Sequence, residues 1–382
     1  MNDYTEADVL LLAKRWQNSK RSYLLVNPLQ AKHCPSDPGQ ALAMMRSLGR
    51  QVAEHYPQAR LVIGFAETAT AIGATLASCL GPDCWYIQTT RENVLGGQNW
   101  VDFQEEHSHA VEQKLCGDRL AEAIEHSPQL VFVDDEFSTG QTLLNMVNQL
   151  RLQYPAAENR EIVAASIINR LQPANEQVWT AAGIKSEYLV RPNLLDYERL
   201  VADIPVVAAA ELPADPVGTN FRQINLPSPC LNPRLGVQIA DYQQCCQRNA
   251  AYLTDTLVEQ LKPGAQLLVL GTEECMYPAL LMADCLACSG YFTSVRCHAT
   301  TRSPIGVYTA ATYPVRNGNL LHSFYDQNRR TYIYNLAQYD AAVVFSDTEN
   351  TPAARLAQAD LAHALNAWGC TQLFYVGGGQ NV

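Results

Sequence analysis

The residues best equipped for chemistry lie in one stretch, Leu130-Val131-Phe132-Val133-Asp134-Asp135-Glu136-Phe137-Ser138-Thr139-Gly140-Gln141-Thr142. It reads as a buried apolar strand, two acids, a short Ser-Thr-Gly-x-Thr loop and the start of a helix. Gly140 lets backbone approach an anion closely. Ser138, Thr139 and Thr142 add hydroxyls beside the free N–H groups of a helix N-terminus, which suits a monophosphate. Asp134 and Asp135 sit just before that cradle. Ionised carboxylates only accept hydrogen bonds, so they match the paired hydroxyls of a ribose. The strand delivers the loop to the carboxyl edge of its sheet, where ligands of open α/β folds bind. An ordinary βα turn with Asp in a capping role is the alternative; the whole thirteen-residue pattern favours the ligand loop.

Three upstream segments could complete such a site. Leu61-Val62-Ile63-Gly64-Phe65-Ala66-Glu67-Thr68-Ala69-Thr70 reads as strand, turn and helix start. The amides of Ala66, Glu67 and Thr68 could hold a diphosphate, with Glu67 either bridged to it by a metal ion or pointing elsewhere. Thr89-Thr90-Arg91-Glu92 offers Arg91 for a bidentate phosphate contact. A polar stretch with Gly96 and Gly97 ends in Glu105-Glu106-His107-Ser108-His109-Ala110. Glu106, His107 and His109 are candidate acid/base or diphosphate-binding groups; for each alone a solvated loop residue is the other reading. Lys32-His33 follows the first strand, and Lys32 could act as a point charge beside phosphate.

The elements needed to position these residues alternate. Apolar runs at 23–26, 61–63, 130–133, 162–168, 266–270, 342–345 and 372–376 predict buried strands. Helical patterns at 41–51, 69–79, 142–154, 278–288 and 353–368 follow most of them. This alternation predicts an α/β protein with largely parallel sheet. Pro213, Pro216, Pro227, Pro229 and Pro233 interrupt it, so residues 208–234 read as a linker between domains 1–207 and 235–382. Cys285-Leu286-Ala287-Cys288 lies in an apolar helical run and, without a second pair at zinc spacing, reads as core thiols.

The 382 residues are 47% hydrophobic, enough for real cores. With 27 basic and 38 acidic residues the net charge is −11, which argues against nucleic acid or anionic membrane as partner. A polar start, no long apolar run and only 12 cysteines lead us to expect a reduced, cytoplasmic protein.

The Leu130–Thr142 stretch resembles the signature of the type I phosphoribosyltransferases at every position. Taken with Lys32-His33, the Ala-Glu-Thr-Ala turn, Thr-Thr-Arg-Glu, Glu-Glu-His-Ser-His-Ala and Thr301-Arg302-Ser303-Pro304, it resembles the subfamily associated with tellurite resistance, which carries a C-terminal TRSP domain. The resemblance implies a type I phosphoribosyltransferase-like parallel sheet flanked by helices. It implies 5-phosphoribosyl 1-pyrophosphate (PRPP) and a small-molecule base as partners, Mg²⁺ as cofactor, and a homodimer as one possible assembly. It places Asp134, Asp135, Ser138, Thr139, Gly140, Thr142, Ala66, Glu67, Thr68, Arg91 and Lys32 on PRPP. Asp134 and Asp135 would meet Mg²⁺, directly or through water. Glu106, His107, His109 and Asp135 would be catalytic, the first three on a loop that closes over the reacting centre. Ser138 stands where hypoxanthine–guanine enzymes place an acid, which leans toward adenine-like or orotate-like chemistry. A non-catalytic PRPP or nucleotide sensor, and a phosphorylase- or hydrolase-like enzyme, are the competing readings.

The second half echoes the first. Gly271-Thr272-Glu273-Glu274-Cys275 aligns with the 64–68 turn, Thr300-Thr301-Arg302 with Thr89-Thr90-Arg91, and Phe345-Ser346-Asp347 with the acidic motif. The second α/β domain is therefore a candidate diverged copy, with Glu273, Glu274, Thr301, Arg302, Ser303 and Asp347 as a second-domain site. Pro352 falls where Gly140 would be, so its phosphate loop reads as damaged.

Overall fold

The apolar runs form two sheets in the computed structural model, which describes residues 4–18, 20–103, 113–212 and 221–377. In the first sheet the spatial order is Val237–Gln238, Trp85–Gln88, Ala59–Gly64, Gln129–Phe137, Glu161–Asn169 and Ile184–Val190. All neighbours are parallel except the two-residue edge strand Val237–Gln238. The second sheet is wholly parallel, in the order Arg222–Ile224, Gln372–Val376, Ala341–Phe345, Gln266–Gly271 and Ser294–Ala299. The strands beginning at 85, 59, 129 and 161 thus stand in the same order as those beginning at 294, 266, 341 and 372. The α/β class with parallel sheet expected from the sequence is observed.

The helices lie close to their predicted spans: Pro38–His55, Thr70–Leu80, Gln141–Gln153, Tyr277–Cys288 and Pro352–Ala367. Pro38–His55 starts on an Asp37 cap, whose side chain accepts from Gln40 N, and has Pro at its first position, where a missing N–H costs nothing. Helices Pro38–His55, Thr70–Leu80, Ile239–Gln260 and Tyr277–Cys288 pack on one another between the two sheets. One apolar cluster runs through them, from Met44, Leu48 and Leu76 to Leu253, Leu280 and Leu286. Burial of this kind contributes about 25 cal/mol per Å² of apolar surface.

Each half also reaches onto the other's sheet. Val237 bridges Tyr86 of the first sheet, and Ser36 makes an antiparallel bridge to Cys297 of the second. The hairpin of Leu11–Lys14 with Tyr23–Val26 packs Ala13, Leu24 and Val26 against Ile305, Val315 and Tyr334.

Two expectations need correction. The segment 208–234 is not a free linker where it is described: Arg222–Ile224 pairs with Gln372–Val376, and Cys230, Asn232 and Arg234 are buried. Its prolines mask a short strand placed by the sheet beside it. Cys285 and Cys288 are helical as read, but Cys288 is exposed and Cys285 only partly covered, because they sit at the solvent end of their helix.

Candidate functional site

The acids of the first motif lie on the strand rather than after it. Gln129–Phe137 extends through Asp134, Asp135 and Glu136 because its neighbour Glu161–Asn169 is equally long, pairing Asp134 with Ser166 and Glu136 with Ile168. Ser138 and Thr139 then turn the chain. Gly140 caps helix Gln141–Gln153 at φ 72°, a left-handed conformation that favours glycine. Gly140 O accepts from Trp179 Nε1 at 3.2 Å, and a β-carbon on Gly140 would fall 2.5 Å from that nitrogen. Gly140 has no side chain to cap this helix; Thr139 Oγ1 accepts from the first amide, Gln141 N, at 3.4 Å, and the amides that follow have no helical acceptor. A helix N-terminus therefore sits directly beyond a pair of carboxyls carried on a strand.

Asp135 Oδ1 accepts from Thr68 Oγ1 at 2.8 Å, which ties the 66–68 turn to the acidic strand end. The backbone oxygen of Thr68 accepts from Gln30 Nε2 at 2.8 Å. Burial, then the Asp135 charge beside it, push the Asp134 carboxyl well above its usual range. Burial, then Glu136, raise Asp135 as well. Two adjacent carboxyls raised in this way form a site that gains from a cation. Among the described residues no group of three or more His, Cys, Asp and Glu could hold a metal by itself. A divalent ion held by Asp134 and Asp135 would thus share its remaining positions with substrate oxygens and water, as Mg²⁺ tolerates.

The sequence reading missed the third acid and its partners. Glu136 is bound by Arg21 Nη2 at 2.9 Å and Arg170 Nη1 at 2.8 Å, and Tyr23 lies under both guanidinium groups. The Asp-Asp-Glu run was the available signal. Its partners come from two other segments, which spacing alone cannot pair.

Other predicted residues lie at the boundary between the halves. Glu67 points away from the loop, to a fully buried Lys32 and to Arg302. Lys32 Nζ also donates to the carbonyls of Glu273 and Thr300, at 2.8 and 2.9 Å. Opposed to burial, these partners hold Glu67 below the usual carboxylate range, Lys32 contributing most and Arg302 next. Arg302 pairs with Glu92 and with Glu273 Oε2 at 3.1 Å, and approaches Glu274 Oε1 at 3.6 Å. The turns answer one another. Arg302 N–H donates to Glu67 Oε2, and Arg91 N–H donates to Glu274 Oε1. Thr89 Oγ1 accepts from Ala66 N as Thr300 Oγ1 accepts from Glu273 N, at 2.8 and 2.9 Å. Thr90 bridges Lys114, and Thr301 bridges Tyr332, each on a hairpin. Of the second-domain candidates, Glu273, Glu274, Thr301, Arg302 and Asp347 are brought into this network, and Ser303 N donates to Thr301 Oγ1. Glu106, His107 and His109 lie outside the described residues, between the strands Trp100–Phe103 and Gln113–Cys116.

With this geometry in hand the comparisons are specific. Residues 9–191 match the model of a family described as phosphoribosyl transferase, and residues 232–365 match the TRSP domain described as C-terminal to it. The chain belongs to the phosphoribosyltransferases that carry a C-terminal TRSP domain. The Thr301-Arg302-Ser303-Pro304 motif that names this domain supplies the arginine at the centre of the boundary network. Three solved structures are similar in fold. Adenine phosphoribosyltransferase from Leishmania tarentolae is 18% identical, over 40% of this chain and 73% of that one, with a TM-score of 0.28. Orotate phosphoribosyltransferase from Aeropyrum pernix is 17% identical, over 52% and 94%, with a TM-score of 0.31. Adenine phosphoribosyltransferase from Giardia lamblia, solved with 9-deazaadenine, is 17% identical, over 48% and 94%, with a TM-score of 0.35. No curated protein matches the chain. No helix among the described residues is long and apolar enough to cross a membrane.

Two predictions follow from the charges. Asp134 binds its proton more tightly folded than unfolded, so ionisation destabilises the fold as pH rises from the unfolded value through the raised one. Asp134→Asn should therefore raise the denaturant midpoint at pH 7, with an advantage that shrinks toward pH 4, while ligand binding at the site is lost. A lower midpoint at pH 7 would contradict this. Arg302→Ala leaves buried Glu67, Glu92 and Glu273 short of a cation and should cost about 3–5 kcal/mol in urea unfolding.

Proposed function

We propose that this phosphoribosyltransferase moves the 5-phosphoribosyl group of PRPP onto a nitrogenous base. The bond from ribose C1 to the pyrophosphate oxygen breaks, a C1–N bond forms, and the base nitrogen gives up its proton. Pyrophosphate leaves with the bonding electron pair. The observation that carries the reading is the pair Asp134-Asp135 set against the helix N-terminus at Gly140, of which Thr139 takes the first amide. The loop amides with Ser138, Thr139 and Thr142 would hold the 5′ phosphate, and Asp134 and Asp135 would hold the ribose hydroxyls. Mg²⁺, held by Asp134 and Asp135 together with substrate oxygens, would supply positive charge toward the leaving pyrophosphate. The Ala66 amide is taken by Thr89 Oγ1, so of this turn the amides of Glu67 and Thr68 would face that same group. The transition state develops positive charge at C1, and ionised Asp135 stabilises it electrostatically.

Glu106, His107 and His109 are proposed to supply the proton-transferring group. Thr89 Oγ1 donates to Gln113 Oε1 at 2.8 Å, so one flank of that segment is hydrogen-bonded to the residue that fixes the 66–68 turn. The proposed product is a nucleoside-like metabolite carrying a 5′ phosphate.

Incubation with PRPP, Mg²⁺ and single bases should release pyrophosphate with one base and not with the others. PRPP binding without turnover on any base would show a sensor instead. Replacing Glu106, His107 and His109 one at a time should identify the proton-transfer residue by a fall in kcat of about 10²–10⁴. Gly140→Ala should weaken PRPP binding at least tenfold in calorimetry, because the new methyl meets Trp179 and the left-handed turn is strained. Unchanged affinity would remove the loop from the site.

A further inference from the structure

A cleft of about 870 Å³ opens at the carboxyl edge of the second sheet and is bordered by residues 91–96 of the first half. Its place in the fold corresponds to that of the first acidic motif. Phe65 N–H donates to Val133 O, and Thr272 N–H donates to Phe345 O. This equates Val133 with Phe345, and hence Asp135 with Asp347 two residues on. The differences between the two places determine what the second can take.

The anion end is gone. Helix Pro352–Ala367 begins with a proline that has no N–H, and Thr351 Oγ1 accepts from Ala354 N at 3.1 Å. The first half has a glycine before its helix and a long 3.4 Å bond from Gln141 N to Thr139 Oγ1; the second closes its own helix end with proline and a shorter threonine cap. Nor do the cations of the cleft make up for it. Arg234 is held by Glu274 Oε2 and Asp347 Oδ2, at 2.8 and 2.5 Å, and Arg329 by Glu92 and Glu273. Three arginines against four acids line the cleft, so no surplus positive charge awaits a phosphate.

The hydroxyl-binding end is kept. Asp347 is fixed in orientation by Arg234 and by the Tyr325 hydroxyl, which donates to Oδ1 at 2.5 Å. A carboxylate accepts up to about four hydrogen bonds, in a geometry that suits a vicinal diol. Aromatic and aliphatic surface lies beside it: Tyr325, Val94, Leu235 and Leu95, the last 78% exposed at the lip. Such surface suits a flat heteroaromatic ring.

We propose that this cleft binds a nucleoside, the base–ribose unit without its 5′ phosphate. The inference rests on the cleft and on the matched positions of the two sheets, and does not require the transferase reaction. Calorimetry and thermal unfolding of the full chain, without PRPP or Mg²⁺, test it with adenosine, guanosine, cytidine, uridine and their 5′ monophosphates. At least one nucleoside should bind and raise Tm, and its monophosphate should bind at least tenfold more weakly. Asp347→Asn and Tyr325→Phe should each weaken that nucleoside at least tenfold. Leu95→Glu, at an exposed position that leaves folding intact, should weaken it several-fold, and Asp135→Asn should leave it unchanged. Three results would overturn the proposal: no nucleoside binds, nucleoside and monophosphate bind equally, or binding is lost in Asp135→Asn and kept in Asp347→Asn and Leu95→Glu.

Discussion

A guanidinium cannot be buried beside carboxylates unless each charge finds a partner, and that constraint fixes this molecule around Arg302. Its side chain is 13% exposed and meets glutamates from both halves: Glu67 and Glu92 from the first, Glu273 and Glu274 from the second. Desolvating so many charges is expensive, and the expense is offset only while the geometry holds. Lys32 with Glu67, and Arg234 with Glu274, brace the two sides in matching fashion. The turns after Ala59–Gly64 and after Gln266–Gly271 are thus each completed by a Thr-Thr-Arg turn from the other half. Two separate domains joined by a linker would lack this dependence. Here each candidate site is built with its neighbour's backbone.

The same topology leaves two different chemistries. The matched strands each carry an aspartate two residues past the equivalent Val133 and Phe345, Asp135 within its strand and Asp347 beyond the end of its own. The first adds Asp134 and a left-handed glycine at its helix start. The second has Ser346, a threonine cap and Pro352. Only the first sets an adjacent aspartate pair beside a glycine-led helix start. The overall charge of −11 has little bearing on either, because local amides and paired arginines set the potential in each cleft.

Much of the fold was legible in the sequence. Strands 23–26 and 372–376 fall where the apolar runs place them, since such runs are specified by their own burial. The repeated order of turns was also readable, because glycine, paired threonines and arginine recur at matching spacing. What the sequence concealed depends on partners far along the chain. The strand carrying Asp134 extends four residues beyond Val133 because a neighbouring strand pairs with it there. Arg222–Ile224 and Val237–Gln238 are too short to show a period and exist only through the strands they join. Glu67 looked misplaced beside an anion, and it is: its counter-charges, Lys32 and Arg302, lie 35 positions before it and 235 after it. The Arg21–Glu136–Arg170 group was missed for the same reason.

The 66–68 turn shows why the second half matters to the first site. Thr68 holds Asp135 through its hydroxyl, while its neighbour Glu67 is held by Lys32 and Arg302. Adjacent residues of one turn therefore serve the proposed ribose-binding carboxylate and the boundary network, and neither can shift far without the other. Arg302 continues to Glu273, whose other oxygen accepts from Ser323 Oγ and from Phe324 N–H at the edge of the second cleft. Burial pushes Glu273 up to about 7, opposed by Arg329 and these two donors. A contiguous chain of hydrogen bonds and ion pairs thus runs from Asp135 toward Phe324. The TRSP motif stands in the middle of that chain, and its arginine adds to Lys32 a second cation on Glu67, this one from the second half. Together they let the turn bury an acid while Thr68 reaches Asp135.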